Sequence, residues 1–156
     1  MTQTQQIPSP ESKPIELVME REFDAPIAMV FEAFVDPAQL QQWWGPEEMT
    51  IPVCEMDVRV GGAWKTVMES KDGKQHTVCG VYKTIDKPTK LAFTWAWVYD
   101  HGRGHETLVT IELSEQGGKT RMHFLQRAFA EVEHRDNHIH GWESTFRSLA
   151  AYLCRA

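Results

Sequence analysis

The alternation of large apolar residues with small or charged ones constrains this chain most. Residues 90–98 carry such residues at every second position: Leu91, Phe93, Trp95 and Trp97. Side chains of a β-strand point alternately to its two faces, so these four share one face. Three further segments alternate in the same way: residues 63–70, 107–113 and 120–126. Trp64, Met68 and Phe124 fall on their apolar faces. The pattern predicts strands whose aromatic side chains face one interior.

Turn residues divide the chain from residue 50 onward into six strand-length segments. The dividing pairs are Gly61-Gly62, Asp72-Gly73, Lys87-Pro88 and Gly117-Gly118. Asp-Gly and Gly-Gly pairs are typical of tight hairpins, so we expect an antiparallel meander. Residues 16–23 also alternate and add a first strand, which makes seven. The longest break inside the meander, residues 99–104, is a candidate lip of an opening.

Two short helices are predicted between the first and second strands. Asp24, followed by Pro26, resembles a helix start, and apolar residues then recur at helical spacing. Asp36 with Pro37 ends that helix and begins another, which runs as far as Trp43, Trp44, Gly45 and Pro46.

A long C-terminal helix is predicted after residue 128. Its apolar positions recur three and four residues apart: Trp142, Thr145, Phe146, Leu149, Tyr152 and Leu153. Asp136 and Asn137 resemble helix-start residues, which would leave His134 in the preceding loop. This helix is expected to pack its apolar face on the sheet.

Length and charge restrict the function classes. A chain of 156 residues is one ordinary domain that can bury its own core, and we assign it to residues 15–156. Residues 1–14 are polar and proline-rich, so we expect a flexible tail. The net charge is −6 with no basic run, which argues against nucleic-acid binding.

The cysteines and the hydropathy pattern predict a cytoplasmic protein. Cys54, Cys79 and Cys154 are odd in number and lack metal-ligand spacing, which favours reduced thiols. No apolar stretch approaches the ~20 residues of a membrane span, and the N-terminus lacks a signal pattern.

Five sequence segments together resemble a known family. They lie at residues 21–26, 43–46, 57–62, 93–95 and 141–142 and read Arg-Glu-Phe-Asp-Ala-Pro, Trp-Trp-Gly-Pro, Asp-Val-Arg-Val-Gly-Gly, Phe-Thr-Trp and Gly-Trp. In this order they resemble landmarks of the family of activators of heat shock protein 90 ATPase homologues (AHSA-type), within the START-like, SRPBCC superfamily. The resemblance covers about residues 16–153. It implies an α+β helix-grip fold, in which a curved seven-stranded antiparallel sheet wraps around the C-terminal helix and leaves a cavity.

That cavity would be lined by the aromatic faces described above. The candidate ligand-binding residues are Trp64, Met68, Tyr82, Trp95, Trp97, His105, Phe124, Trp142 and Phe146. Indole rings offer flat faces for an aromatic or lipid-like ligand. The same residues could instead form an ordinary core, because a buried aromatic side chain stabilises a fold whether or not a ligand is present.

Neither a metal site nor a catalytic site stands out. His134, His138 and His140 are the densest histidine group, but no further ligand cluster accompanies them, so neither metal nor cofactor is predicted. Gln126, His76, Tyr82 and Glu106 could face the cavity, yet none is paired with a recognisable nucleophile or base, and the catalytic residues stay unknown.

Three hypotheses on function therefore stand. The leading one is a module that binds a hydrophobic small molecule between the sheet and the C-terminal helix. The second is an enzyme of the same fold that acts on an apolar substrate. The third follows from the family's name: a co-chaperone of heat shock protein 90, against which the expected single domain argues. A monomer and a homodimer are both open.

Overall fold

The structure is a computed structural model that describes residues 14–155, so the tail predicted for residues 1–14 lies outside it except for Pro14. The elements are β1 (Ile15–Phe23), α1 (Ile27–Val35), α2 (Pro37–Trp43), β2 (Thr50–Met56), β3 (Ala63–Glu69), β4 (Gln75–Asp86), β5 (Lys90–Tyr99), β6 (Gly102–Arg103), β7 (Thr107–Gln116), β8 (Lys119–Phe129) and α3 (Val132–Arg155).

Seven strands form one antiparallel sheet in the order β1-β8-β7-β5-β4-β3-β2. The predicted strands and the α+β helix-grip class are confirmed. An eighth strand, β6, lies off this path, inside the segment predicted to be a loop. It pairs with β5 through Val98 with Arg103 and Tyr99 with Gly102. The candidate lip is therefore a short hairpin extension of the sheet.

The helix α3 lies against the concave side of the sheet. Its buried residues are Trp142, Thr145, Phe146, Leu149 and Leu153, which is the predicted apolar face apart from the half-buried Tyr152. Phe146 packs on Phe124 of β8, with ring centroids 5.2 Å apart. Both rings are almost completely buried, as aromatic residues of a well-packed core are.

The starts of α1 and α3 differ from the predictions. Asp24 does not cap α1: Pro26 occupies the N-cap, and the Ile27 N–H donates to Glu115 Oε1 across the fold (3.0 Å). The predicted start of α2 at Asp36 is confirmed, because the Asp36 carboxylate accepts from the Ala38 N–H of α2 (3.0 Å).

The helix α3 begins at Val132, four residues before the predicted start at Asp136. The Asp136 carboxylate accepts from Arg135 Nε (2.7 Å), and the Arg135 guanidinium also donates to the Glu16 carbonyl of β1 (3.1 Å). This hydrogen bond joins two residues that are 119 positions apart in the sequence and connects the first turn of α3 to the edge strand β1. His134 is consequently on the helix and not in the preceding loop.

Candidate functional site

A cavity of about 660 Å³ lies between the sheet and the N-terminal half of α3. Its large apolar wall residues are Trp44, Met68, Trp95, Trp97, Phe129 and Trp142. Polar side chains complete the lining: His76, Tyr99, His105, Thr107, His134, Asn137, His138 and Thr145. Of these, Thr107 and Thr145 are buried, whereas His76, Tyr99, His105, His134 and Asn137 are exposed and form the mouth.

Four tryptophans set the shape of the wall. The Trp95 ring packs edge-on against Trp97 (5.5 Å between centroids, 89° between planes) and is tilted against Trp142 (5.0 Å, 50°). Trp44 meets Trp142 edge-on as well (5.6 Å, 77°). These indoles hold one another in place and present ring surface to the cavity, where a flat apolar ligand can stack.

Trp44 separates this cavity from a second, much smaller void of about 20 Å³. The small void is lined by Phe34, Leu40, Trp44, Met56, Trp64, Tyr82, Leu91 and Phe93. It holds at most about one water molecule. The sheet interior therefore has one packed end and one open end, with Trp44 between them.

Most indole N–H groups of the cavity wall donate into the protein. Trp44 donates to Thr66 Oγ1 (3.1 Å), Trp97 to His138 Nε2 (3.0 Å) and Trp142 to Gln126 Oε1 (2.8 Å). The Trp95 Nε1 atom is buried and has no partner within residues 14–155.

Gln126 lies outside the cavity lining and forms hydrogen bonds with two of its residues. Its side chain is fully buried, accepts from Trp142 and donates to Thr107 Oγ1 (2.9 Å), and that hydroxyl donates to the Trp95 carbonyl (3.3 Å). Gln126 was a candidate polar group of the cavity because it shares a strand face with Phe124. The structure places it outside the lining, where it orients Trp142 and Thr107.

His138 is a neutral member of the wall. Its Nδ1 lies 2.7 Å from the His134 carbonyl, which can only accept, so Nδ1 carries the proton and Nε2 accepts from Trp97. Burial lowers the pKa of this imidazole, and the charge of His134 acts in the same direction, although the hydrogen bond to the His134 carbonyl opposes them. Both ring nitrogens are engaged.

His105 stands at the mouth. Its Nε2 lies 2.6 Å from the Ala128 carbonyl and must donate to it, which leaves Nδ1 as an acceptor in the neutral ring. His134 and His138 share a face of α3, contrary to the expectation that His134 precedes the helix. Still, no group of three His, Cys, Asp or Glu side chains within the described part of the chain could hold a metal ion.

The predicted ligand-binding residues separate into three groups. Met68, Trp95, Trp97, His105 and Trp142 line the large cavity. Trp64 and Tyr82 line the small void, and Phe124 and Phe146 are packed in the core. Binding by any of them remains a prediction.

Several lining residues were missed at the sequence level. The sequence indicates Trp44 only as part of a helix end and a family landmark, and Thr145 only as part of the apolar helix face. Phe129 and His138 lie beyond the segments in which strand alternation was read. The one available signal was helical spacing, which places His138, Trp142 and Thr145 along one side of α3.

All three cysteines are free: Cys54 and Cys79 are half-buried and Cys154 is exposed. Among residues 14–155, no helix combines the length and apolar character needed to cross a bilayer.

Comparison with known proteins places the chain in a family. The family model described as "Activator of Hsp90 ATPase homolog 1-like protein" matches residues 24–154. A crystal structure of the AHSA1 protein SPO3351 from Silicibacter pomeroyi is 33% identical, with 89% of this chain and 97% of that chain covered and a TM-score of 0.81. Protein CV1439 from Chromobacterium violaceum is 26% identical, with 90% and 98% covered and a TM-score of 0.80.

A protein from Rhizobium leguminosarum is 25% identical, with 92% of this chain and 97% of that chain covered and a TM-score of 0.78. No curated protein matches the chain. The family match spans nearly all described residues, and the TM-scores show that the relatives have the same fold. The chain belongs to the family of activator of Hsp90 ATPase homolog 1-like proteins and has its START-like fold.

Proposed function

We propose that this protein binds an apolar small molecule in the cavity between the sheet and α3. The observation that carries the proposal is the cavity of about 660 Å³ with four tryptophans in its wall. Ligand pockets typically occupy ~300–1,000 Å³ and are mostly apolar with a few polar groups. A packed core of this size would instead be filled by side chains.

Burial of the ligand supplies the affinity. An aromatic ligand that buries about 250 Å² of apolar surface gains roughly 6 kcal/mol at ~25 cal/mol per Å². A gain of roughly 6 kcal/mol corresponds to a Kd of about 40 μM. Association and ordering costs reduce this gain, so we expect a small probe to bind with a Kd above that value. Stacking against the tryptophan faces contributes further.

Gly141 offers a direct test. It lies on α3 in the cavity lining, and the nearest atom to an added Cβ is Pro46 Cγ at 4.0 Å. Leucine at this position would enter the cavity without a backbone clash. We expect Gly141→Leu to weaken binding of the fluorescent probe N-phenyl-1-naphthylamine at least ~10-fold, whereas Gly141→Ala, which is much smaller, changes it little.

Stability provides the control. Either replacement removes a helix-interior glycine, so the melting temperature should hold or rise. Binding that is unchanged in Gly141→Leu, or absent in the unaltered protein, would refute the proposal. Native mass spectrometry of protein from its own host then identifies any compound that co-purifies.

The enzyme hypothesis predicts a titratable side chain that can exchange a proton with a bound molecule. His138 is the half-buried titratable residue of the wall, but both of its ring nitrogens are engaged. His105 keeps a free Nδ1 but is exposed at the mouth. Among the described residues, no buried titratable group of the wall is therefore free to exchange a proton, and binding ranks first. The co-chaperone hypothesis needs its own experiment, a pull-down with purified heat shock protein 90 at micromolar concentration.

A further inference from the structure

We propose that the cavity selects a flat apolar molecule carrying a hydroxyl group, such as a phenol, over a carboxylate of the same shape. This inference rests on the proposed binding function and specifies its ligand class. It follows from which polar atoms of the wall are already used and which are free.

The donors of the buried part of the wall are used, and other donors, such as those of Tyr99 and Asn137, lie at the exposed mouth. The indole N–H groups of Trp44, Trp97 and Trp142 all donate to protein acceptors, and so does Nδ1 of His138. The remaining indole nitrogen, Trp95 Nε1, is buried and does not reach the cavity surface. An incoming carbonyl or carboxylate therefore finds no free side-chain donor in the buried part of the wall.

Two buried hydroxyl oxygens of the wall keep free lone pairs. Thr145 Oγ1 donates its only proton to the Gly141 carbonyl (2.8 Å), so its lone pairs remain available. Thr107 Oγ1 donates to the Trp95 carbonyl, accepts from Gln126 and keeps one lone pair. Both threonines are buried in the cavity lining, at 3% and 5% exposure. A hydroxyl donor on a ligand can pair with either.

His105 adds a third acceptor nearer to solvent. Its Nε2 proton is held by the Ala128 carbonyl, so the neutral ring offers Nδ1. An imidazole nitrogen accepts well from a phenolic hydroxyl. The three acceptors come from β7, the segment before it and α3, and so lie on both sides of the cavity.

Charge acts in the same direction. Of the described residues that line the cavity, none is Lys, Arg, Asp or Glu. A carboxylate would lose its hydration without meeting a fixed cation, which is strongly unfavourable. The carboxylate of Glu131 lies 4.0 Å from His134 Nε2 at the mouth and would repel a second anion.

Three probes of one shape test this inference: 2-naphthol, naphthalene and 2-naphthoate, each displacing N-phenyl-1-naphthylamine at pH 7.5. We expect 2-naphthol to bind roughly 10-fold more tightly than naphthalene, as one net hydrogen bond allows. Naphthoate should bind at least ~100-fold more weakly than naphthol.

The outcomes separate the two proposals. If naphthoate matches or exceeds naphthol while naphthalene binds, the cavity is a binding site but the hydroxyl preference is wrong. If none of the probes binds, both proposals fall.

Three variants assign the acceptor. Thr145→Val and Thr107→Val keep the side-chain shape and remove the oxygen, and His105→Leu removes the ring nitrogen. In at least one, the ratio of naphthol to naphthalene affinity should fall about 5-fold or more. The exposed His140 of α3 does not line the cavity, so His140→Leu is the matched control and should keep the ratio. A ratio unchanged in all three acceptor variants contradicts the assignment.

Discussion

The two ends of the sheet interior both have aromatic walls, but one is packed and the other is open. The packed end, formed by Phe34, Leu40, Trp64, Tyr82, Leu91 and Phe93, leaves a void of about 20 Å³. The open end contains the cavity of about 660 Å³. Trp44 lines both, with its ring centroid 6.3 Å from that of Trp64 and 6.0 Å from that of Trp95.

The difference lies in what stands opposite the sheet. At the packed end, Phe34 of α1 and Leu40 of α2 fill the space in front of the strands. At the open end, α3 presents Gly141, which has no side chain, and His138, whose ring is tied to its own helix. Aromatic content alone thus does not decide between a core and a pocket.

The largest expected effect is on stability at the packed end. Phe93→Ala removes a ring that contacts Trp64 (5.4 Å) and Tyr82 (6.2 Å) and should lower the free energy of unfolding by about 3–5 kcal/mol. Trp97→Ala should cost only about 1–2 kcal/mol, because that half-buried ring lines the cavity. Urea denaturation measures both free energies of unfolding. Equal losses would contradict the difference in packing between the two ends.

A pair of glycine replacements gives the next effect. At Gly80, an added Cβ would lie 1.8 Å from the Thr94 carbonyl oxygen, to which Trp64 Nε1 donates across the glycine (3.2 Å). Gly80→Ala should therefore destabilise the protein by about 3 kcal/mol, near the upper end of overpacking costs.

Gly141→Ala at the open end should instead stabilise the protein by up to about 1 kcal/mol, since alanine favours helix and the space is free. Thermal melting of both variants distinguishes the two sites. Destabilisation by Gly141→Ala would show that the open end is packed more tightly than the structure indicates.

The smallest effect concerns pH. Burial lowers the pKa of His138 below the ordinary histidine value of about 6.5. Below pH 6.5 the unfolded chain binds a proton at this residue more readily than the folded protein does. The contribution of the neutral His138 to the free energy of unfolding is therefore complete above pH 6.5 and decreases as the pH falls towards the folded pKa. His138→Gln should lessen the loss between pH 7.5 and 5.5, as measured by urea denaturation.

His140→Gln is the control for this pH experiment, because that side chain is 84% exposed on the same helix. It should leave the pH dependence as it is. If His138→Gln leaves it unchanged too, His138 titrates alike in the folded and unfolded chain, and the Trp97 N–H does not donate to a neutral His138 Nε2.

Much of the fold was predictable because its signals are local. Alternation in β3, β5, β7 and β8 predicted the strands and the inward direction of Trp64, Trp95 and Phe124. Turn pairs predicted the meander, and helical spacing predicted the buried face of α3. Each of these depends on residues close together in the chain, so the sequence by itself determined the strands, the α3 face and the aromatic interior.

Only the tertiary structure decided which aromatic residues fill space and which border it. Trp64 and Trp95 have the same strand pattern, but Phe34 and Leu40 line the void beside Trp64, whereas Gly141 lines the cavity beside Trp95. The first turn of α3 likewise makes a contact with a distant residue, because the Arg135 guanidinium donates to the Glu16 carbonyl. Packing depends on residues far apart in sequence, and period-2 or period-3.6 patterns carry no information about them.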